Sequence, residues 1–169
     1  MSSRTLTILM TFTAVVLVLS TMGEATPIYI WNASKSVPVG LYQLQPAGTL
    51  AVTELVAVRP PEPLAIFLDL NGYLPTGIPM LKRVLALQGQ MVCRYGLTIF
   101  VDGIDMGNAL SRDSRGRPLP VWQGCHSVEP DELFLMNWQS EDSLDGRYFG
   151  FVPNSSVIGK ALPVWTREE

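Results

Sequence analysis

The 169 residues carry a net charge of −3 and a pI near 5.1, with 47% hydrophobic side chains. This length supports one ordinary domain plus a short extra segment, and the apolar content suffices for a real core. The acidic balance argues against a phosphate-coating surface, so no nucleic-acid partner is expected, and Arg112, Arg115 and Arg117 read as a solvated loop.

From the N-terminus, Leu6 to Met22 runs without a charge and Arg4 precedes it. As a helix these residues extend roughly 26 Å, against ~30 Å for the hydrocarbon core, so flanking residues would complete the crossing. The expectation is a membrane helix contacting lipid over residues 1–24, with its N-terminus inside. A cleaved signal segment is the alternative, because Gly23-Glu24-Ala25 offers small residues at a cleavage site. Either way residues 25–169 form one domain facing outward.

Beyond the anchor, short apolar segments broken by Pro and Gly read as β structure. Candidate strands are Pro27 to Trp31, Leu41 to Leu44, Leu55 to Val58, Leu97 to Val101, Ile104 to Met106, Leu133 to Met136 and Val157 to Ala161. Asp102-Gly103 marks a hairpin turn. Only Pro63 to Asn71 looks helical, closed by Gly72. The expected fold is a mainly β, mostly antiparallel domain with one short helix. Cys93 and Cys125 fit the outward compartment; a disulfide there would close a loop of about 30 residues for ~3 kcal/mol, and two separate buried thiols are the alternative. One histidine and two distant cysteines do not make a zinc site, so no metal or cofactor is expected.

The chemistry centres on Lys82, which lies in Ile78 to Leu87, a run apolar on both sides. Lost hydration favours the neutral amine, a base; a snorkelling side chain is the bland alternative. The chain holds three lysines and one histidine, so proton transfer has few residues to use. Ser36, just ahead of Pro38 and Gly40, sits in a bent segment that exposes backbone N–H groups, and Ser34 adds a hydroxyl. Lys35, beside polar residues, should stay solvated and charged. A plain loop turn is the competing reading of this segment. Ser143, Asp145 and Arg147 occupy every second position, which along an extended chain points them to one face. They make either a network that orients the lysine or a surface turn with an ordinary ion pair. His126, next to Cys125, reads as a structural or surface residue.

Together Ser36-Val37-Pro38, Leu81 to Gly89 and Ser143 to Pro153 resemble the serine, lysine and C-terminal boxes of type I signal peptidases, in order and spacing. Pro38 to Tyr42, Pro118-Leu119-Pro120, Gly124-Cys125 and Asp145 to Gly150 resemble the conjugative-transfer, TraF-type branch more closely. The likeness covers nearly all of the chain after the anchor. It departs at Gln88 and Gln90, where a proline and an aspartate are usual, and at Asn137 to Glu141, whose wording differs.

The resemblance implies Ser36 as nucleophile, Lys82 as general base, and the Ser34 hydroxyl with the Ser36 N–H as oxyanion donors. Ser143 would orient the lysine, and Asp145 and Arg147 would support the site. It implies a LexA-like peptidase fold and a serine endopeptidase of the bacterial inner membrane, its catalytic domain in the periplasm. The substrate would be a pilin precursor, linear and cyclised products both being compatible with an acyl-enzyme, or another exported preprotein. A non-catalytic, membrane-anchored assembly factor is the reading from another class. LexA-type repressors share a Ser-Lys pair, but they carry a DNA-binding helical domain where a membrane helix is expected in this chain.

Overall fold

A computed structural model describes residues 3–21 and 28–167. Helix α1, Ser3–Thr21, leads the chain, and its side chains from Arg4 to Val16 are exposed. The membrane-crossing helix expected here is corrected: among the described residues no helix is long and apolar enough to cross a membrane. Arg4 and the threonines at 5, 7, 11 and 13 interrupt its apolar surface, and the Thr11 and Thr13 hydroxyls bond back to the Thr7 and Leu9 carbonyls. Gly23-Glu24-Ala25 and the boundary at residue 24 lie outside the described residues.

The apolar runs of the remaining chain pair into two antiparallel sheets. The larger holds β1 (Tyr29–Asn32), β2 (Val39–Gln45), β3 (Leu55–Val58), β4 (Met80–Ala86), β9 (Glu132–Leu135), β10 (Phe151–Pro153) and β11 (Val157–Arg167), in the order β1-β2-β11-β3-β4-β9-β10. The smaller holds β5 (Met91–Tyr95), β6 (Thr98–Val101), β7 (Ile104–Asn108) and β8 (Gly124–Ser127), in the order β7-β6-β5-β8. Asp102 and Gly103 take positive φ values of 50° and 80° and turn β6 into β7, as their residue types require.

Strands β3 and β4 are buried almost throughout, because both of their faces are covered. On one face Val56, Val58, Met80 and Val84 pack with Leu133, Leu135 and Leu68. Leu68 comes from helix α2, Glu62–Leu70, which begins after Pro60-Pro61 and ends at Asn71-Gly72, where Gly72 adopts φ +66°. On the other face Leu55, Ala57 and Leu81 pack with Val37, Tyr42 and Ala161. A third cluster, including Leu85, Val92, Ile99 and Phe134, joins the two sheets. Lys82 has the parity of Met80 and Val84, so it enters the sheet face that α2 covers.

The disulfide between Cys93 and Cys125 is present and links β5 to β8, whose residues 93 and 125 stand opposite each other. The extended reading of residues 143–147 is corrected. Asp145 is extended, but its carboxylate accepts the Arg147 N–H and caps a helical turn, α3, Gly146–Phe149.

Candidate active site

Ser36 lies in the turn between β1 and β2, and that turn is built around Asn32. The buried Asn32 amide donates to the carbonyls of Ser34, Val37 and Pro38 at 2.8, 3.0 and 3.1 Å. Its Oδ1 accepts the Ser34 N–H at 3.1 Å and the Ser34 hydroxyl at 2.9 Å. One side chain thus satisfies the backbone of a turn that forms no ladder. The Ser34 and Ser36 hydroxyls are 3.0 Å apart. Since the Ser34 hydrogen goes to Asn32, the Ser36 hydroxyl is the donor in that pair.

Lys82 is 5% exposed, and its Nζ donates to Ser143 Oγ at 2.7 Å. Burial pushes its pKa down from 10.5 to about 8; the Asp145 carboxylate opposes the shift and the Arg147 guanidinium adds to it. Near neutral pH a useful fraction of this amine is unprotonated. The desolvation inferred from the apolar run around Lys82 is therefore present, and its physical source is the covered face of β4.

Asp145 and Arg147 are fully buried and hold the segment that presents Ser143. Arg147 Nε and Nη2 donate to the two Asp145 carboxylate oxygens at 2.9 and 3.0 Å. Nη2 also donates to the carbonyls of Ser140 and Ser143 at 2.7 and 3.1 Å, and Nη1 to that of Asn108 at 3.1 Å. Arg94 of β5, wholly buried, donates through Nη1 to the Arg147 carbonyl, and Trp122 Nε1 donates to the Gly146 carbonyl at 2.9 Å. The smaller sheet thereby braces the Ser143 segment.

Ser34, Ser36, Lys82 and Ser143 all line one cleft of about 590 Å³, whose apolar wall includes Leu68, Leu74, Met80 and Leu144. No hydrogen bond joins Ser36 to Lys82: each is paired instead with a second serine. His126 stands apart, with Nε2 2.8 Å from Glu132 Oε2 and its ring against Phe151. Among the described residues no cluster of metal-ligating side chains occurs.

The sequence matches the family described as "Signal peptidase, peptidase S26" over residues 2–166. The chain belongs to that family. It is 35% identical over 146 residues to the plasmid transfer protein TraF of Escherichia coli, covering 80% of this chain and 81% of that one. It is 34% identical over 149 residues to the conjugal transfer protein TraF of Agrobacterium fabrum, covering 82% of each. A solved signal peptidase I from Enterococcus faecalis aligns with a TM-score of 0.41 and 20% identity, over 68% of this chain and 97% of that one.

Within this peptidase family one departure noted in the sequence, Gln90, has a visible local role. Gln90 accepts the Leu87 N–H at 3.0 Å and donates to Asp102 at 2.9 Å, tying the β4–β5 turn to the β6–β7 hairpin. Asn32, Asn137 and Arg94 are the residues that sequence reasoning missed. Asn32, two residues before Ser34 in a turn-forming stretch, carried a readable signal of an Asx turn; Arg94 carried none, because its partner is 53 residues away.

Proposed function

We propose that this chain is a serine endopeptidase of conjugative transfer that matures a pilin precursor. The observation that carries the reading is a buried lysine of lowered pKa, held by Ser143 in the same cleft as Ser36. The names of the TraF relatives support the process, and family membership supports the peptidase chemistry.

When substrate fills the cleft, the Ser36 hydroxyl exchanges its Ser34 partner for Lys82, since catalytic hydrogen bonds tighten on substrate binding. Ser36 Oγ attacks the scissile carbonyl as Lys82 takes its proton. The Ser34 hydroxyl, released from Asn32, and the Ser36 N–H stabilise the oxyanion, each donor being worth ~3 kcal/mol. The tetrahedral intermediate collapses to an ester on Ser36, and the departing amine takes the proton back from Lys82. Water then releases a linear product, or the precursor's own N-terminal amine attacks the ester and closes a cyclic one. A tethered amine competes with water through its effective concentration.

The disulfide supports an oxidising, periplasmic setting. The exposed apolar residues of α1 support contact with the lipid of the bacterial inner membrane.

Mass spectrometry of a pilin precursor after incubation with the wild-type and Ser36→Ala proteins tests the reading. The expected result is a shortened precursor, linear or lighter by one water, with the wild type alone. Equal cleavage by both proteins rejects Ser36 as nucleophile. Cleavage of a generic preprotein but not of the pilin precursor assigns a housekeeping signal peptidase. Normal conjugation in a Ser36→Ala strain points to a non-catalytic assembly role.

A further inference from the structure

Strand β9 pairs with β4 only as far as Val84, which stands opposite Leu135, and the last backbone bond runs from Met136 N to the Arg83 carbonyl at 2.9 Å. The chain must then leave the sheet, because its next segment has to carry Ser143 over Lys82. That departure strips the edge of β4 on either side of the lysine of its partner strand. Two peptide groups are affected, the Arg83 N–H and the Leu81 carbonyl. Asn137 meets both. Its Oδ1 accepts the Arg83 N–H at 2.9 Å, and its Nδ2 donates to the Leu81 carbonyl at 3.1 Å. Its own N–H donates to Asp145 Oδ2 at 3.0 Å, and the residue is 1% exposed.

We propose that Asn137 is the positioning residue for Lys82: its side-chain amide stands in for a missing peptide of the β ladder and fixes Lys82 against the Ser143 segment. The role in catalysis rests on the function proposed above. One buried residue joins the strand that carries the lysine, through its side-chain amide, to the carboxylate that organises Arg147, through its backbone N–H, and Arg147 in turn holds the Ser143 carbonyl. Asparagine suits the place because it offers a donor and an acceptor on one short, neutral stem. Alanine would leave two buried peptide groups without partners, and water would enter to satisfy them. Water at that edge rehydrates the lysine and favours the ammonium. Serine reaches one of the two groups but cannot bridge both. The charged groups that face Lys82 are Asp145 and Arg147, with Lys35, Asp142 and Tyr73 along the cleft. Neither substitution alters them.

The test is direct titration of lysine side chains by NMR in the full chain labelled at lysine Cε. With only Lys35, Lys82 and Lys160 present, three resonances result, and Lys82→Met assigns the one of interest. In Asn137→Ala and Asn137→Ser the Lys82 midpoint is expected to rise by about one unit or more toward its free value. The acid limb of kcat/KM should move with it, and the loss of kcat should be greater at pH 7 than at pH 10. A Lys82 midpoint unchanged in either folded variant, with only a lowered melting temperature, overturns the proposal and leaves Asn137 a structural residue. Asn137→Ser, the milder change, serves if Asn137→Ala does not fold. A wild type that cleaves nothing would reject the peptidase reading, and the titration would still decide what Asn137 does.

Discussion

At the scale of single residues, the burial of Lys82 is a cost to folding. A folded-state pKa of about 8 against 10.5 means that folding disfavours the ammonium. Below pH 8 the lysine is charged in both states and the penalty is fully in force. Between pH 8 and 10.5 the unfolded chain still binds the proton that the folded chain has lost, so stability rises with pH; above 10.5 the penalty is gone. At ~1.4 kcal/mol per unit the penalty is at most ~3.5 kcal/mol. Lys82→Met should therefore abolish processing and stabilise the protein at pH 7 by roughly 1–3 kcal/mol, the gain fading by pH 10. Urea unfolding at the two pH values measures this, and a variant less stable than wild type at pH 7 would contradict it. The lysine was legible in the sequence because a charged residue with apolar runs on both sides has little solvated face to occupy. Asn137 was not, and Asn32 only as a turn former, because an asparagine's value lies in the backbone groups it meets, and those are fixed only by the fold.

At the scale of elements, short apolar runs marked the strands well where flanking turn residues bounded them, as at Leu55–Val58 and around Asp102-Gly103. The expected helix differs from α2 by one residue at each end. Strands β4, β5, β8 and β10 were not among the expected strands; in β5 and β8 Arg94 and the Gly-Cys-His-Ser stretch break the apolar signal, and in β4 the Lys82-Arg83 pair does. The segment after Ser143 misled for a definite reason. Alternating polar residues suggest extension, but Asp145 caps a turn of helix and Arg147 folds back on its carboxylate. Arg147→Ala would leave that carboxylate buried and unpaired, at ~3–5 kcal/mol. Arg147→Lys should recover little of this, because an ammonium cannot match the fork that reaches Asp145, Ser140, Ser143 and Asn108 together. Urea midpoints of the two variants are the check; a lysine variant within ~1 kcal/mol of wild type would mean that charge alone, not the fork, holds the segment.

At the scale of the whole molecule, the division into two sheets was beyond the sequence because it depends on distant pairings. Strand β11 closes between β2 and β3, about a hundred residues earlier in the chain, and Gly40 allows the approach: a Cβ there would lie 2.1 Å from the Trp165 carbonyl oxygen. The smaller sheet meets the site through Arg94 and the Asn108 carbonyl, and the segment leading into β8 through Trp122; none of these needs sulfur chemistry. Its disulfide joins residues 32 apart in sequence. By the loop-entropy relation such a crosslink stabilises by about 3–4 kcal/mol, acting on the unfolded chain. A double Cys93→Ser, Cys125→Ser variant should therefore lose about that much in urea unfolding while each folded molecule keeps its activity within roughly twofold, because strand pairing of β5 with β8 and the Arg94 contact persist. A large loss of kcat in the folded variant would reverse this reading. It would mean that the disulfide holds β5, and through Arg94 the Ser143 segment, in position, so that Lys82 answers to the redox state of a sheet it does not belong to.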